Sequence, residues 1–301
     1  MVGCVIVAGD RILGEGYHVR CGEGHAEVNA FASVRAADEP LLREATLYVS
    51  LEPCSHHGKT PPCSDLIIRK KVRRVVVGCI DPFAEVQGRG IQRLREAGIE
   101  VAVGVLEAEC RHLNRRFFTF HQKNRPYIIL KWAQTADGFI DDCCRPTAIS
   151  TPFTKMLVHK LRAEEDAILV GRVTAEREHP QLNVREWSGR SPERFVFSRS
   201  EERGTRRDFR GTRSEERGAT TVGSFDELFR VCRERQLQSL IVEGGRQTLQ
   251  SFIDADLWDE IRVEQALIDK KGTPAPVLPE NAIICRTEQF DGNTIDSYAH
   301  P

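Results

Sequence analysis

Three potential zinc ligands and one carboxylate lie in the first quarter of the sequence. His25 precedes Glu27 by two residues, and Cys54 and Cys63 flank a loop rich in Pro, His and Gly. One imidazole and two thiolates leave a position of a tetrahedral zinc ion open for water, as in catalytic sites. Zinc lowers the pKa of that water to about 7, and a neighbouring carboxylate can pass its proton to a leaving amino group. The set predicts a hydrolytic deaminase with one zinc ion per chain, ligands His25, Cys54 and Cys63, and Glu27 as catalytic acid–base.

Two features of this set leave alternatives open. A purely structural zinc site needs a fourth protein ligand, and His56 or His57 would be the candidate. Nucleobase deaminases carry a Cys-x-x-Cys pair, whereas eight residues separate Cys54 from Cys63. The other cysteines of this half are expected to be ordinary core or surface thiols, namely Cys4, Cys21, Cys79 and Cys110.

The composition is that of an ordinary globular protein. The 301 residues carry a formal net charge of −1, with 40% hydrophobic and 29% charged residues. Nucleic-acid-binding proteins usually have a basic surplus, so this balance argues against a nucleic-acid partner. No apolar stretch approaches the roughly 20 residues of a membrane span, and no basic leader precedes the first apolar run. We therefore expect a cytoplasmic protein whose ten cysteines stay reduced.

Strand and helix patterns alternate in both halves of the chain, which predicts two α/β domains. The polar, proline-containing segment 122–126 marks the boundary between a domain of residues 1–122 and one of residues 126–301. Apolar residues between 106 and 120 follow helical spacing and predict one amphipathic helix. Thr151-Pro152 predicts a helix start, and segment 198–218, dense in Arg and Glu, predicts a surface loop. The C-terminal tail is too weakly patterned to assign.

A second candidate site follows a predicted strand in the second half. Glu243-Gly244-Gly245 lies at the strand end before a predicted helix, and such glycines let backbone N–H groups approach a phosphate. A Gly-Gly pair is equally typical of an ordinary turn, and the Gly-x-Gly-x-x-Gly pattern of Rossmann domains is absent from the sequence. These residues alone predict only an α/β domain with a candidate phosphate site.

Longer stretches resemble the bifunctional deaminase-reductases of riboflavin biosynthesis. In the first half the resemblance rests on the loop 53–63, Gly14-Glu15-Gly16-Tyr17-His18 and Asp81-Pro82. In the second half it rests on Leu130-Lys131-Trp132-Ala133, Ile149-Ser150-Thr151-Pro152 and Val242-Glu243-Gly244-Gly245. The resemblance implies a cytidine-deaminase-like α/β/α domain followed by a dihydrofolate-reductase-like α/β domain.

The activities implied by this resemblance are successive. The first is zinc-dependent hydrolytic deamination of 2,5-diamino-6-hydroxy-4-(5-phosphoribosylamino)pyrimidine. The second is reduction of the ribosyl group to ribityl by NADPH, which gives 5-amino-6-(5-phosphoribitylamino)uracil. The implied partners are this phosphorylated small molecule and further copies of the chain, bound through the reductase domain, but no nucleic acid and no membrane.

The resemblance also implies, position by position, which side chains contact ligands. In the deaminase domain the substrate-binding residues would be His56, Lys59 and Thr60, with Lys59 near the phosphate. In the reductase domain they would be Lys131, Arg162, Leu182, Arg185 and Glu243. NADPH would be held by Ala133, Thr174, Glu178, Gly245, Arg246, Gln247 and Thr248.

The sequence departs from the family pattern at several positions. The family has a helix and an Asn-Pro segment before the residues that match Val2-Gly3, so we expect this helix and a substrate-binding asparagine to be missing. Glu178-His179 replaces an acidic pair, and Ser198 replaces an Asp. A Ser-x-Trp is replaced at 146–148. These departures leave three alternatives: only one active half, a zinc protein without activity, or a nucleoside or tRNA deaminase with a non-catalytic second domain.

Overall fold

The chain divides into two compact units, Met1–Lys123 and Asn124–Pro301. The computed structural model describes residues 2–20, 22–55, 61–83, 87–143, 145, 147–198 and 218–301. The division falls inside the polar segment 122–126. The predictions for Cys21 and for most of 198–218 lie outside the described residues. Among the described residues, no helix combines the length and hydropathy needed to cross a bilayer.

The first unit is an α/β unit built around one mixed sheet. Its strands are β1 (Gly3–Ala8), β2 (Arg11–Tyr17), β3 (Thr46–Leu51), β4 (Arg74–Cys79) and β5 (Glu100–Val103). Its helices are α1 (Ala26–Ser33), a 3₁₀ helix (Ala36–Arg43), α2 (Cys63–Lys70), α3 (Arg89–Glu96), α4 (Glu107–Leu113) and α5 (Arg115–Lys123). The sheet order is β2-β1-β3-β4-β5, with β1 antiparallel to both neighbours and β3, β4 and β5 parallel.

Glycines on β2 determine how closely α1 packs on the sheet. A Cβ on Gly14 would lie 2.4 Å from the carbonyl oxygen of Ala30, and one on Gly16 would lie 2.3 Å from the amide nitrogen of Ala30. Real side chains do not tolerate such distances, so only glycine permits this approach of helix and strand backbones. The start of α1, which carries Glu27, is thereby held against the sheet.

The helix predicted over 106–120 is wrong as a single element. The structure has two helices, α4 and α5, separated at Asn114, whose side-chain amide donates to the carbonyl oxygen of Cys110 at 3.2 Å. This local bond competes with continuation of the helix. Leu106, at the start of the expected apolar face, is 66% exposed, whereas Phe120 at its end is buried, as is Phe118.

The second unit is built around an eight-stranded sheet among the described residues. Its strands are β6 (Tyr127–Gln134), β7 (Ala167–Gly171), β8 (Glu193–Phe197), β9 (Ala219–Val222), β10 (Ser239–Glu243), β11 (Glu260–Gln265), β12 (Ile283–Phe290) and β13 (Asn293–Ala299). Its helices are α6 (Pro152–Glu164), α7 (Arg172–Glu178), α8 (Phe225–Glu234) and α9 (Arg246–Asp254). The sheet order is β12-β13-β11-β6-β10-β7-β8-β9, and all neighbours are parallel except at β13.

The structure shows how one predicted helix start and the two terminal segments of the second unit are held. The predicted start of α6 is confirmed, because the Thr151 hydroxyl accepts from the Thr154 amide at 3.2 Å and Pro152 occupies the first turn. The tail without a sequence assignment forms the β12–β13 hairpin. At the start of β6, the buried Arg125 guanidinium forms a two-pronged ion pair with Asp259, which precedes β11.

Candidate active sites

The three predicted zinc ligands converge at one place in the first unit. His25 immediately precedes α1, Cys54 follows β3, and Cys63 is the first residue of α2. The Nδ1 atom of His25 lies 3.5 Å from the Cys54 Sγ and 3.3 Å from the Cys63 Sγ. A tetrahedral zinc with bonds of about 2.1 Å to N and 2.3 Å to S would hold these atoms about 3.6 Å apart. The donor set therefore fits zinc in both chemistry and spacing.

Hydrogen bonds inside this cluster polarise the two thiols in opposite directions. The Cys63 thiol and its backbone N–H both donate toward the Cys54 sulfur, which lowers the pKa of Cys54 to about 4. The same hydrogen bond, together with burial, raises the pKa of Cys63 above its usual range. The cluster thus holds one thiolate by itself, and a bound cation would supply the charge that deprotonates the second.

Glu27 lies in the first turn of α1, next to these ligands. Its side chain is 3% exposed, and burial raises the pKa of its carboxyl to about 7. A carboxyl with this pKa can both accept and release a proton near neutral pH. The environment of Glu27 therefore suits the acid–base role predicted for it.

Two further residues at this site were not singled out as functional by the sequence. The His18 ring centroid lies 5.4 Å from that of His25, and the buried His18 Nε2 has no hydrogen-bond partner among the described residues. Its only sequence signal is its place in the Gly14–His18 stretch. The predicted substrate contacts His56, Lys59 and Thr60, and the alternative ligand His57, lie outside the described residues.

Glu52 is the second of these residues, and it fixes the segment that carries Cys54. It is 4% exposed, and its carboxylate accepts four backbone N–H bonds, from Asp81 at 3.3 Å, Gly88 at 2.9 Å, Gly90 at 2.9 Å and Ile91 at 3.2 Å. Two residues later the chain reaches Cys54. Glu52 therefore ties the end of β3 to the start of α3.

A cavity of about 350 Å³ forms the second site, at the carboxyl ends of β6, β7 and β10. Ligands of open α/β sheets bind at this edge of the strands. The predicted ligand contacts that line the cavity are Lys131, Ala133, Arg162, Thr174, Glu178, Leu182, Glu243 and Gly245. Residues without a predicted role also line it, among them Trp132, Ile149, Ser150, Lys155 and Pro180.

The floor of the cavity carries charges that compensate one another. Arg162 on α6 donates to both oxygens of Glu243, at 3.0 and 2.6 Å, and both side chains are largely buried. Burial alone would raise the pKa of Glu243, but the bonds and charge of Arg162 outweigh it and hold the pKa below its ordinary value. Lys131 lies opposite Glu243 on the neighbouring strand, and its burial lowers the pKa of the ammonium.

The turn after β10 fits a phosphate-bearing cofactor. Gly244 and Gly245 have φ values of +96° and +75°, which disfavour any side chain, and a Cβ on Gly245 would lie 3.1 Å from the Thr174 Oγ1. Helix α9 begins at Arg246 without a side-chain cap. Its first N–H groups are therefore available to an anion. Residues of this chain thus provide a cradle for a phosphate group.

Four of the predicted reductase contacts are not among the residues that line the cavity. The Arg185 side chain is 51% exposed, and its guanidinium donates to the Asn183 side chain at 3.1 Å. Arg246 and Gln247 are exposed on the first turn of α9. The Thr248 Oγ1 would lie 2.3 Å from a Cβ on Gly171, at the end of β7.

Two family models match the chain in separate stretches. Residues 1–79 match the cytidine and deoxycytidylate deaminase zinc-binding region. Residues 126–266 match the RibD C-terminal domain. The zinc cluster therefore falls in the first match, and the residues that line the cavity fall in the second.

Several proteins of the riboflavin pathway are similar to this chain over both units. The riboflavin biosynthesis protein RibD of Aquifex aeolicus is 38% identical over 285 residues, which cover 87% of this chain and 79% of that protein. RibD of Escherichia coli is 45% identical over 188 residues, 62% of this chain and 50% of that protein. A Thermotoga maritima crystal structure, a diaminohydroxyphosphoribosylaminopyrimidine deaminase/5-amino-6-(5-phosphoribosylamino)uracil reductase, superposes with a TM-score of 0.86 at 34% identity, over 100% of this chain and 92% of that one.

Proposed function

Because the chain belongs to the RibD family of bifunctional riboflavin-biosynthesis deaminase-reductases, we propose that it carries out both reactions on one pyrimidine intermediate. The first unit would hydrolyse the amino group of 2,5-diamino-6-hydroxy-4-(5-phosphoribosylamino)pyrimidine. The second would reduce the sugar with NADPH to give 5-amino-6-(5-phosphoribitylamino)uracil. The observation that carries the proposal is the convergence of His25, Cys54 and Cys63 beside the buried Glu27.

Deamination requires a water that attacks carbon and an amino group that leaves protonated. His25, Cys54 and Cys63 would hold a zinc ion, which would supply a nucleophilic water at neutral pH. The Glu27 carboxylate takes the proton of the attacking water and delivers it to the departing nitrogen, so that water and the amine are converted to a carbonyl and ammonia. Burial supports this role because it brings the pKa of Glu27 to about 7.

Reduction requires that the cofactor and the sugar meet in a site that excludes water. NADPH supplies the hydride, and Gly244, Gly245 and Thr174 would position its phosphates and ribose. Lys131 would orient an oxygen of the opened sugar, since it stands on β6 at the cavity floor. The Arg162–Glu243 pair, which lines the cavity, would contact the phosphate-bearing end of the substrate.

The proposal extends to the remaining ligand contacts and to the setting of the enzyme. We infer that His56, Lys59 and Thr60 contact the substrate in the first unit, with Lys59 near its phosphate. We infer also that Arg185, Glu178, Arg246, Gln247 and Thr248 complete the reductase site when ligands are bound. We further infer that copies of the chain associate through the second unit and that the enzyme works in the cytoplasm. The resemblance to the riboflavin deaminase-reductases supports each of these inferences.

The test follows the two reactions separately in the full-length chain. The diaminopyrimidine substrate is incubated with zinc-loaded protein, with and without NADPH, while ammonia release and loss of nicotinamide absorbance are recorded. We expect ammonia in both mixtures and NADPH oxidation only after deamination. Ammonia without any oxidation of NADPH would remove the reductase half of the proposal, and turnover of cytidine or tRNA in place of this substrate would replace the deaminase half.

A further inference from the structure

A buried carboxylate on β11 is bonded to the wall of the reductase cavity and has no role in the reaction derived above. Glu264 is 2% exposed. It accepts from the Ser150 hydroxyl at 2.6 Å and from the Asn293 side-chain amide at 2.6 Å. The same Asn293 amide donates to the carbonyl oxygen of Ile149 at 3.1 Å. Ile149 and Ser150 line the cavity, so β11 and β13 hold this part of its wall in place.

The polarity of these bonds determines what Ser150 offers to a ligand. A serine hydroxyl has one proton to donate and two lone pairs that can accept, whereas an ionised carboxylate only accepts. The positive charge of Lys131 interacts with Glu264 as well as with Glu243. Because Ser150 gives its proton to Glu264, only its lone pairs remain for the cavity. The wall at this point therefore accepts a hydrogen bond and cannot donate one.

Two features of the fold place Ser150 at the base end of the substrate. Ser150 precedes α6, which begins at Pro152, and Arg162 lies in its last turn, so that about 15 Å of helix separates the two residues. The phosphate end of the substrate is assigned to Arg162, which leaves the opposite end of an extended molecule near Ser150. The Gly244–Gly245 turn, which is assigned to the cofactor, follows β10, whereas Glu264 lies on β11. In the sheet, β10 and β11 are two strands apart, or about 10 Å.

We propose that Ser150, with its hydroxyl oriented by Glu264 and Asn293, accepts a hydrogen bond from an N–H group of the pyrimidine and is a specificity-determining residue of the reductase site. The inference rests on the proposed reduction of the phosphoribosylamino-pyrimidine by the second unit. Glu264 and Asn293 are positioning residues in it, because they act on the ligand only through Ser150.

The inference can be tested by reversing the hydrogen bond without changing its shape. In Glu264→Gln, the amide oxygen would accept from Asn293, which turns the amide nitrogen toward Ser150. Ser150 must then accept a hydrogen bond from the introduced amide, so that its own proton points into the cavity. Glu260→Gln is the matched control, since Glu260 lies on the same strand outside the cavity lining. Ser150→Ala removes the acceptor, and Ser150→Thr keeps it.

The measurements use the full-length protein, with NADPH oxidation at varied pyrimidine or varied NADPH. Ser150→Ala is expected to raise the KM for the pyrimidine about tenfold, the worth of one hydrogen bond, with the KM for NADPH unchanged. Ser150→Thr should restore it. Glu264→Gln should raise that KM at least as much, and the double variant should match Ser150→Ala alone. Ammonia release and the melting temperature should stay as in the wild type.

Three results would overturn the inference. A rise in the KM for NADPH would assign Ser150 to the cofactor, and unchanged constants in Ser150→Ala would make it an inert part of the wall. Additive effects in the double variant would show that Glu264 acts through Lys131. Calorimetric binding of 5-amino-6-(5-phosphoribitylamino)uracil repeats the comparison without turnover. A wild type that binds this product but does not oxidise NADPH would therefore count against the proposed function and not against the role of Ser150.

Discussion

The two candidate sites occupy comparable places, after the carboxyl ends of parallel strands, but they are made of different groups. The site of the first unit combines two sulfur donors and one imidazole, a donor set that binds a cation. The floor of the second site is already balanced, because Arg162 and Glu243 neutralise each other beside Lys131. The first site is thus defined by a metal, and the second by charge pairs that the fold assembles.

This difference also appears in how each site is supported. In the first unit, Glu52 fixes the cysteine-bearing segment through backbone N–H groups alone. In the second, the Arg162 side chain of α6 bonds directly to Glu243 of β10, and the charge of Lys131 on β6 acts on the same carboxylate. We therefore expect the first site to fail as a whole when its metal or its anchor is removed, and the second to fail gradually as single partners are changed.

Removal of zinc should give the largest effect and separate the sites completely. Dialysis of the full-length protein against a zinc chelator should reduce ammonia release to background, because the nucleophilic water depends on the metal. Reduction of the already deaminated intermediate should continue, as measured by NADPH oxidation. Added zinc should restore ammonia release. Parallel loss of both activities would show that the two sites are not independent.

Glu27→Gln should produce the next largest effect. We expect ammonia release to fall by about 10² to 10⁴, because the carboxylate that transfers the proton is gone, while metal analysis still finds one zinc per chain. Glu39→Gln, an exposed position in the same unit, is the control and should leave the rate unchanged. Loss of zinc in Glu27→Gln would assign Glu27 to the metal shell instead.

Lys131→Met should affect only the second site, and less severely. Removal of one positioned donor is expected to lower NADPH oxidation by about 10², since the other charges of the cavity floor remain. Lys160→Met, at an exposed position of α6, serves as the control. Ammonia release should be unchanged in both variants, and an equal fall of both activities would contradict the assignment of Lys131 to reduction.

Glu52→Gln tests the anchoring of the first site. A glutamine has one oxygen for the four N–H groups and adds donors of its own, so buried N–H groups lose their partner at a cost of about 1–3 kcal/mol. We expect a lower melting temperature of the first unit and weaker zinc binding in competition with a chromophoric chelator. NADPH oxidation with the deaminated intermediate should not change. Unaltered zinc affinity would show that Cys54 is positioned independently of Glu52.

The smallest expected effect concerns pH and the Arg162–Glu243 pair. The folded-state pKa of Glu243 lies below its ordinary value, so the pair stabilises the protein above that ordinary value and loses its effect as pH falls through the folded-state pKa. The difference in melting temperature between the wild type and Glu243→Gln should therefore shrink toward acid, by about 2–4 °C for each kcal/mol lost. Glu164→Gln, in an exposed pair, should show little difference at any pH.

The metal site could be predicted from the sequence because its signals are local. His25 and Glu27 are two residues apart, and Cys54 and Cys63 border one loop. Each pair is therefore recognisable from a short stretch of sequence. The helix over 106–120 was predicted wrongly because the spacing of apolar residues carries no information on the hydrogen bond from the Asn114 side chain to the carbonyl oxygen of Cys110. The β12–β13 hairpin gave no pattern, since β12 is exposed along most of its length at the sheet edge and does not alternate.

The sequence by itself predicted which atoms could hold zinc and which carboxylate could move a proton, and it marked the polar segment in which the two units divide. Only the tertiary structure decided which charges neutralise one another on the cavity floor, that Arg185 points to solvent, and that Ser150, Glu264 and Asn293 form one buried network. The reason is physical. Ligand chemistry belongs to the residue type, whereas burial and the direction of a hydrogen bond depend on parts of the chain more than a hundred residues apart.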